Sequence, residues 1–307
     1  MAETDTTNDA AELDELSKKF FTTKQVASLL HVRERKIYEL ASAGEIPGTR
    51  ALGKWLFDRN AIYSWLKGHG TISGATAPVH APNVILGSHD PLLEWALRES
   101  NSGLATFMDG SIDGLERFAR TEGIAAGLHI FDPGTKSWNV PALLPAMDSE
   151  PVALVEWAWR ERGILVPAGN PKAIQTLKDL SGKTVVPRQE KAGSQVLLTQ
   201  YLGEIFPKGH DISFVRPARS ESDAALAVAD GQADAAFGLK CSAHQYRLDF
   251  VPVVRERFDI LLRRREWFDP PLQKLFTFAR TADFRDKAAA LTGYDISGLG
   301  QVHFNGA

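Results

Sequence analysis

Periodic structure begins at Phe20. Phe20-Phe21 reads as a short extended segment, and Thr22 or Thr23 can accept a hydrogen bond from the free amides at a helix start. Val26, Ala27, Leu29 and Leu30 then recur at helical spacing. His31-Val32 makes a turn, and Arg33 to Ala43 predicts a second helix. Ile37, Leu40 and Ala41 face inward on it, while Arg33, Arg35, Lys36 and Tyr38 face outward. Gly44 ends it, because glycine accepts the left-handed conformation after a helix. Thr49 to Phe57 predicts two short strands around a turn, a small wing. Asp58-Arg59-Asn60 then caps a last helix bearing Ile62, Trp65 and Leu66. Two helices on a tight turn followed by a basic hairpin is the layout of a winged helix-turn-helix. Its second helix enters the major groove of duplex DNA and its wing follows the backbone.

Residues 69–81 are rich in Gly, Ser, Thr, Ala and Pro without an apolar period, and read as a flexible linker. Beyond them the pattern alternates. Strands are predicted at Asn83–Gly87, Leu104–Phe107, Ile124–Ile130, Ala153–Trp159, Gly163–Val166, Lys183–Val186 and Ala235–Gly238. Helices are predicted at Pro91–Arg98, Ser111–Arg120, Pro171–Leu177, Ser194–Ile205 and Ser222–Asp230. The expected class is α/β, with a mostly parallel sheet covered by helices on both faces. The length of 82–307 suits two lobes.

Three strands end in a Gly/Ser turn that opens a helix: Gly87-Ser88-His89-Asp90, Asp109-Gly110-Ser111 and Ala192-Gly193-Ser194. Ser220-Glu221-Ser222 is a candidate fourth. Open α/β sheets bind ligands at the carboxyl ends of their strands. Helix N-termini there offer unpaired amides and a positive dipole end to an anion. Ser88, Ser111, Gly193 and Ser194 are therefore candidate ligand contacts, unless each serine merely caps its own helix. Arg188 follows a strand and precedes a helix start, where a guanidinium can grip an anion with two bonds or lie on the surface. His89, Asp90 and His129 stand at strand ends and complete the candidate set.

Charge sharpens the picture. The 307 residues carry a net charge of −3, which at first disfavours a nucleic-acid partner. Residues 1–17 hold six acids and no base, however, and residues 18–70 hold ten bases against four acids, +6. A small basic module thus follows an acidic tail, expected to be disordered over 1–19. No apolar run is long enough for a membrane helix and no signal peptide is visible, so a cytoplasmic location without membrane attachment is expected. Cys241 is alone, so neither an internal disulfide nor a thiolate metal cluster is possible. No nucleophile–base spacing, metal-ligand motif or phosphate loop is present, which argues against an enzyme with catalytic residues, a metal or a cofactor.

Two resemblances follow. TTKQVASLLHVRERKIYELASAGEIPGTRALGKWLFDRNAIYSWL, within residues 20–68, resembles the excisionase-type helix-turn-helix domain related to the MerR winged module. That resemblance implies DNA contacts from Thr23, Arg33, Arg35, Lys36 and Tyr38 and from Arg50 and Lys54 on the wing. The motifs GSHDPLL, GSIDGL, AGLH, GILVPAGNP and RQEKAGS, in that order between residues 87 and 194, resemble periplasmic-binding-protein-like domains fused to such readers. The type II fold of molybdate- and tungstate-binding proteins is the nearest pattern. It implies two lobes, one of about 82–150 plus 245–307 and the other of about 151–244. Those binders carry Ser-Gly-Thr after their arginine, where this chain has Gly193-Ser194-Gln195.

The combined expectation is a homo-oligomeric transcription regulator, a dimer or tetramer. It binds a double-stranded operator and responds to a small anionic effector, molybdate or tungstate first and an organic carboxylate or sulfonate second. An architectural, excisionase-like DNA factor is the other class considered. The long second domain argues against it.

Overall fold

A computed structural model describes residues 19–51, 53–69 and 81–306. The acidic tail and almost all of the expected linker lie outside the described residues. The chain forms two compact units that part between residues 79 and 80.

The smaller unit is built as the pattern predicts. Strand β1 (Phe20–Thr22) leads into helix α1 (Thr23–Leu29). Thr22 caps that helix by accepting from the Gln25 amide, and the Gln25 side chain returns the bond, a capping box. The turn at His31 has φ 52°, and helix α2 (Glu34–Ser42) follows. Gly44 sits just beyond it at φ 70°. Strands β2 (Thr49–Ala51) and β3 (Lys54–Asp58) form the wing, and β3 also pairs with β1. Asp58 accepts the Ala61 amide at 2.9 Å to open helix α3 (Arg59–His69). Val26, Ile37, Phe57 and Ile62 close a small core, each removed from water. Full burial of such a side chain contributes about 1.5–3 kcal/mol.

The larger unit is a mixed α/β fold on one curled sheet. Its elements, in order, are β4 (Val84–Gly87), α4 (Pro91–Glu99), β5 (Ala105–Phe107), α5 (Ser111–Ala119) and β6 (Ala125–Leu128). A small ribbon, β7 (Phe131–Asp132) and β8 (Ser137–Trp138), precedes α6 (Val140–Met147) and the long β9 (Val152–Val166). Then come β10 (Thr184–Val186), α7 (Gly193–Ile205), β11 (Ser213–Phe214), α8 (Glu221–Ala229), β12 (Ala235–Leu239) and α9 (Lys240–Gln245). The long β13 (Asp249–Arg263), α10 (Pro270–Phe278), α11 (Ala282–Ala290), β14 (Tyr294–Asp295) and β15 (Val302–Asn305) complete the unit. The order along the sheet is β11-β10-β12-β9-β13-β6-β4-β5, with β14 and β15 added to β9.

The sheet departs from a mostly parallel one. A parallel set, β4 with β5 and β6, lies at one end, and a second, β10 with β11 and β12, lies at the other. The antiparallel pair β9–β13 joins them and is shared by both halves. The two strands expected at Ala153–Trp159 and Gly163–Val166 are one, because Gly163 does not break it. A Cβ there would lie 2.1 Å from the Val251 carbonyl oxygen, so glycine allows the close approach of β13. The helix expected at Pro171–Leu177 is absent. Asn170, at φ 44°, bonds both the amide and the carbonyl of Ile174 through its side chain, and this local loop replaces a helical turn.

Candidate functional site

The two parallel sets meet over the β9–β13 pair, and the Gly/Ser turns gather there. Ser88 and Ser111 share a hydrogen bond of 2.8 Å, and the His129 amide donates to the Ser111 hydroxyl at 3.0 Å. All three residues are buried. Ser111 therefore does not cap its own helix. The N-cap of α5 is Gly110, at φ 123°, with no side-chain cap. Helix α7, on the other half, has Ala192 as its N-cap and also lacks a side-chain cap. By contrast, Asp90 caps α4 and Ser220 caps α8 in a capping box. The two uncapped N-termini abut. A Cβ on Gly193 would lie 2.7 Å from the His129 carbonyl oxygen and 3.0 Å from the Ser111 hydroxyl. A Cβ on Gly110 would lie 2.6 Å from the Lys191 carbonyl oxygen. The Ser194 hydroxyl is buried here without a hydrogen-bond partner.

Beside these turns runs a buried chain of alternating charge. Tyr294 donates to Asp90, whose carboxylate accepts from Arg160 at 2.8 Å. Arg160 also donates to Glu256, its cross-strand partner in the β9–β13 pair. Arg162 binds the same carboxylate at 2.7 and 2.9 Å, and His129 Nδ1 lies 3.1 Å from it. Arg162 then reaches Glu221 at 2.9 Å, and Arg188 reaches Glu221 at 3.1 Å. Three guanidinium groups thus face three carboxylates. Burial alone would raise the Glu256 carboxyl, but Arg160, Arg162 and His129 hold it well below the usual carboxylate range. Glu221 behaves alike: burial opposes ionisation, while Arg162 and Arg188 bring it down to about 2. For His129 burial outweighs Glu256, so its imidazole is shifted toward the neutral form.

Of the ligand candidates, Ser88, Ser111, His129, Gly193 and Ser194 come together at this centre. Asp90 adjoins it as helix cap and ion-pair partner. Arg188 is spent on protein acceptors. Besides Glu221 it donates to the Ala218 and Arg219 carbonyls at 3.0 Å, and so straps β10 to the loop before α8. It offers no free two-pronged face in this arrangement. His89 points elsewhere, with Nε2 2.9 Å from Glu94. It lines a cavity of about 400 Å³ walled by α4 and the end of α11 on one side and by α8 and α9 on the other. A second cavity of about 630 Å³ is lined by Ile112, Arg188, Lys191 and the first two turns of α7.

Sequence reasoning missed Arg160, Arg162, Glu221 and Glu256. The signal was present in β9 as Glu156, Arg160 and Arg162 at even spacing among tryptophans, a charged face on an otherwise apolar strand.

In the smaller unit the α2 candidates are exposed: Arg33, Arg35, Lys36 and Tyr38 stand on one helix and its lead-in. Glu39 holds two of them, Arg35 at 3.2 Å and Lys36 at 3.9 Å. Arg50 and Lys54 are exposed on the wing. Thr23 is 6 % exposed, the first residue of α1, so unlike the arginines it offers almost no surface to a partner. Trp55 stacks on Phe57 at 6.3 Å between ring centres.

Comparison with known proteins fits this geometry. The PBP superfamily domain matches residues 94–280, and a helix-turn-helix domain matches residues 20–70. The uncharacterized protein YvgK of Bacillus subtilis (strain 168) is 25% identical over 300 residues, 92% of this chain and 97% of that protein. The phosphate-bound structure of an ABC transporter substrate-binding protein from Clostridium perfringens superposes with TM-score 0.52. It is 12% identical and covers 70% of this chain and 99% of its own. The regulatory domain of MetR, a LysR family regulator from N. meningitidis, gives TM-score 0.47 at 13% identity over 69% of this chain and 97% of its own. With the family's domain matched over more than half its length, behind an N-terminal helix-turn-helix, this chain belongs to the PBP superfamily.

Proposed function

We propose that this chain is a one-component transcription regulator whose larger unit senses a small oxyanion, with molybdate and tungstate as the first candidates. The helix-turn-helix supports DNA binding and the PBP-like domain supports ligand response. The observation that carries the anion reading is the meeting of two uncapped helix N-termini, α5 and α7, beside the unpaired Ser194 hydroxyl and the Ser88–Ser111 pair. Helix-start dipoles, the unpaired Ser194 hydroxyl and the positive ends of two helices suit an oxyanion. The phosphate carried by the C. perfringens protein shows that the shared fold accommodates a tetrahedral anion in that protein.

The anion bridges the lobe of about 82–150 plus 245–307 to the lobe of about 151–244, and so changes how far the α5 and α7 ends separate. Arg33, Arg35, Lys36, Tyr38, Arg50 and Lys54 contact the operator, and an oligomer presents two such readers to repeated half-sites. The ligand controls DNA binding only through its differential affinity for the separated and closed arrangements.

A thermal-shift series with molybdate, tungstate, phosphate and sulfate on the full chain tests this. At least one anion should raise the melting temperature, and Ser194→Ala with Ser111→Ala should remove the rise. Absence of any change across the series sinks the oxyanion reading. The same anion should change operator affinity in a fluorescence-anisotropy titration.

A further inference from the structure

The 400 Å³ cavity beside His89 is built differently from the serine centre. An oxyanion of four oxygens occupies on the order of 100 Å³, the share of about four waters. The cavity lies instead in the range of roughly 300–1,000 Å³ that holds small organic ligands. Two polar atoms in its wall are buried and unpaired: His89 Nδ1 and Thr292 Oγ1. Such atoms cost stability unless something satisfies them.

Their chemistry specifies the partner. The His89 ring is fixed by its other nitrogen, Nε2, at 2.9 Å from the Glu94 carboxylate. The tautomer with its proton on Nε2, facing the accepting carboxylate, leaves Nδ1 as an acceptor. In that tautomer an occupant donates to it. Glu94 is the acid of the wall and is itself held by Arg98 at 2.8 Å. Arg98 and Lys287 supply two permanent cations against it, leaving one positive charge over for a carboxylate. Trp95 adds a flat apolar surface, with the Lys287 ammonium 5.7 Å from its ring centre.

We infer that this cavity is a second ligand site, for a small organic acid that carries a hydroxyl or amine donor. The carboxylate meets Arg98 and Lys287, and the donor reaches His89 Nδ1 and Thr292 Oγ1. Because α4 and α11 form one wall and α8 and α9 the other, an occupant touches elements from both halves of the sheet. His89 adjoins Asp90, which caps α4 and holds Arg160 and Tyr294, so the occupied cavity abuts the buried ion chain.

Isothermal titration calorimetry on the full chain with 2-hydroxybutyrate, 2-aminobutyrate and butyrate isolates the donor, since the three acids share one carbon skeleton. At least one donor-bearing acid should bind, with butyrate about tenfold weaker, the value of one hydrogen bond of ordinary net strength. Thr292→Val and His89→Ala should each weaken that acid about tenfold. Ser194→Ala should leave it unchanged, which separates this site from the oxyanion centre whether or not that centre proves real. Equal affinity for butyrate, no binding of any of the three, or unaltered affinity in both the Thr292 and His89 variants overturns the assignment.

Discussion

Replacing Glu221 by Gln tests the buried ion chain most directly, because the side chain keeps its shape while its charge is lost and one accepting oxygen becomes an NH2 donor facing the arginines. Glu221 joins Arg162 to Arg188 and is fully enclosed. Its carboxyl falls from an ordinary 4.5 to about 2 in the folded chain, where the two arginines overcome the burial that opposes ionisation. Every tenfold weakening of proton binding corresponds to about 1.4 kcal/mol, so the ionised group contributes about 3 kcal/mol at neutral pH. The sign follows from proton uptake. As pH falls below 4.5 the unfolded chain binds the proton first, and the contribution fades until the folded group also protonates near 2. At pH 3 about 1 kcal/mol of it is left. Calorimetric unfolding of parent and Glu221→Gln at both pH values reads the difference. At pH 7 the transition of the larger unit should drop by roughly 6–12 °C, given about 2–4 °C per kcal/mol for a domain of that size. At pH 3 the gap should shrink to about two fifths. A loss below about 0.5 kcal/mol at pH 7, or a gap equal at both pH values, would refute the reasoning.

Other substitutions probe other links. Gly193→Ala should destabilise the larger unit by about 1–3 kcal/mol, since its Cβ collides with the His129 carbonyl, whereas Gly203→Ala, with open space around it in the same helix, should be neutral or stabilising. Thr22→Ala should cost the smaller unit about 1 kcal/mol through the lost capping box and leave the larger unit's transition in place. Arg35→Ala should weaken operator binding and reduce the slope of log affinity against log salt by about one, measured by anisotropy at several salt concentrations. Oxyanion binding should strengthen as pH is lowered and take up a proton at His129, because burial depresses that imidazole in the free chain and an added anion favours its charged form; titrations in buffers of different ionisation heat count the proton.

The smaller unit was legible almost residue by residue, because caps, apolar spacing and glycine punctuation are local signals. The larger unit was legible where a strand runs into a Gly/Ser turn, and these turns placed Ser88, Ser111 and Ser194 in one region. It was opaque where meaning depends on a partner far along the chain. Arg160 and Glu256 stand opposite one another across the β9–β13 pair, yet they are 96 positions apart in sequence. Strand β13 went unread, since Pro252 and its run of charged residues look like surface loop until β9 supplies their counter-charges. Arg188 was legible as a guanidinium near the cleft, but its acceptors, the Ala218 and Arg219 carbonyls, belong to a loop that only the fold brings close.

The pairing of β9 with β13 also governs which length changes the gene can tolerate. Both strands are 15 residues long, and the pairing slips in register between Pro252 and Val254 and again between Phe258 and Asp259. Those slips set which side chains on each strand point toward the ion chain. Deleting one residue from β9 ahead of Arg160 would rotate Arg160 and Arg162 to the opposite face of the sheet. Glu256 would then be buried without a guanidinium, Glu221 would keep only Arg188, and two arginines would enter apolar packing. Length variation is therefore expected at the connections around Gly169 and Gly209, whose φ angles are 78° and 92°, and not inside either strand.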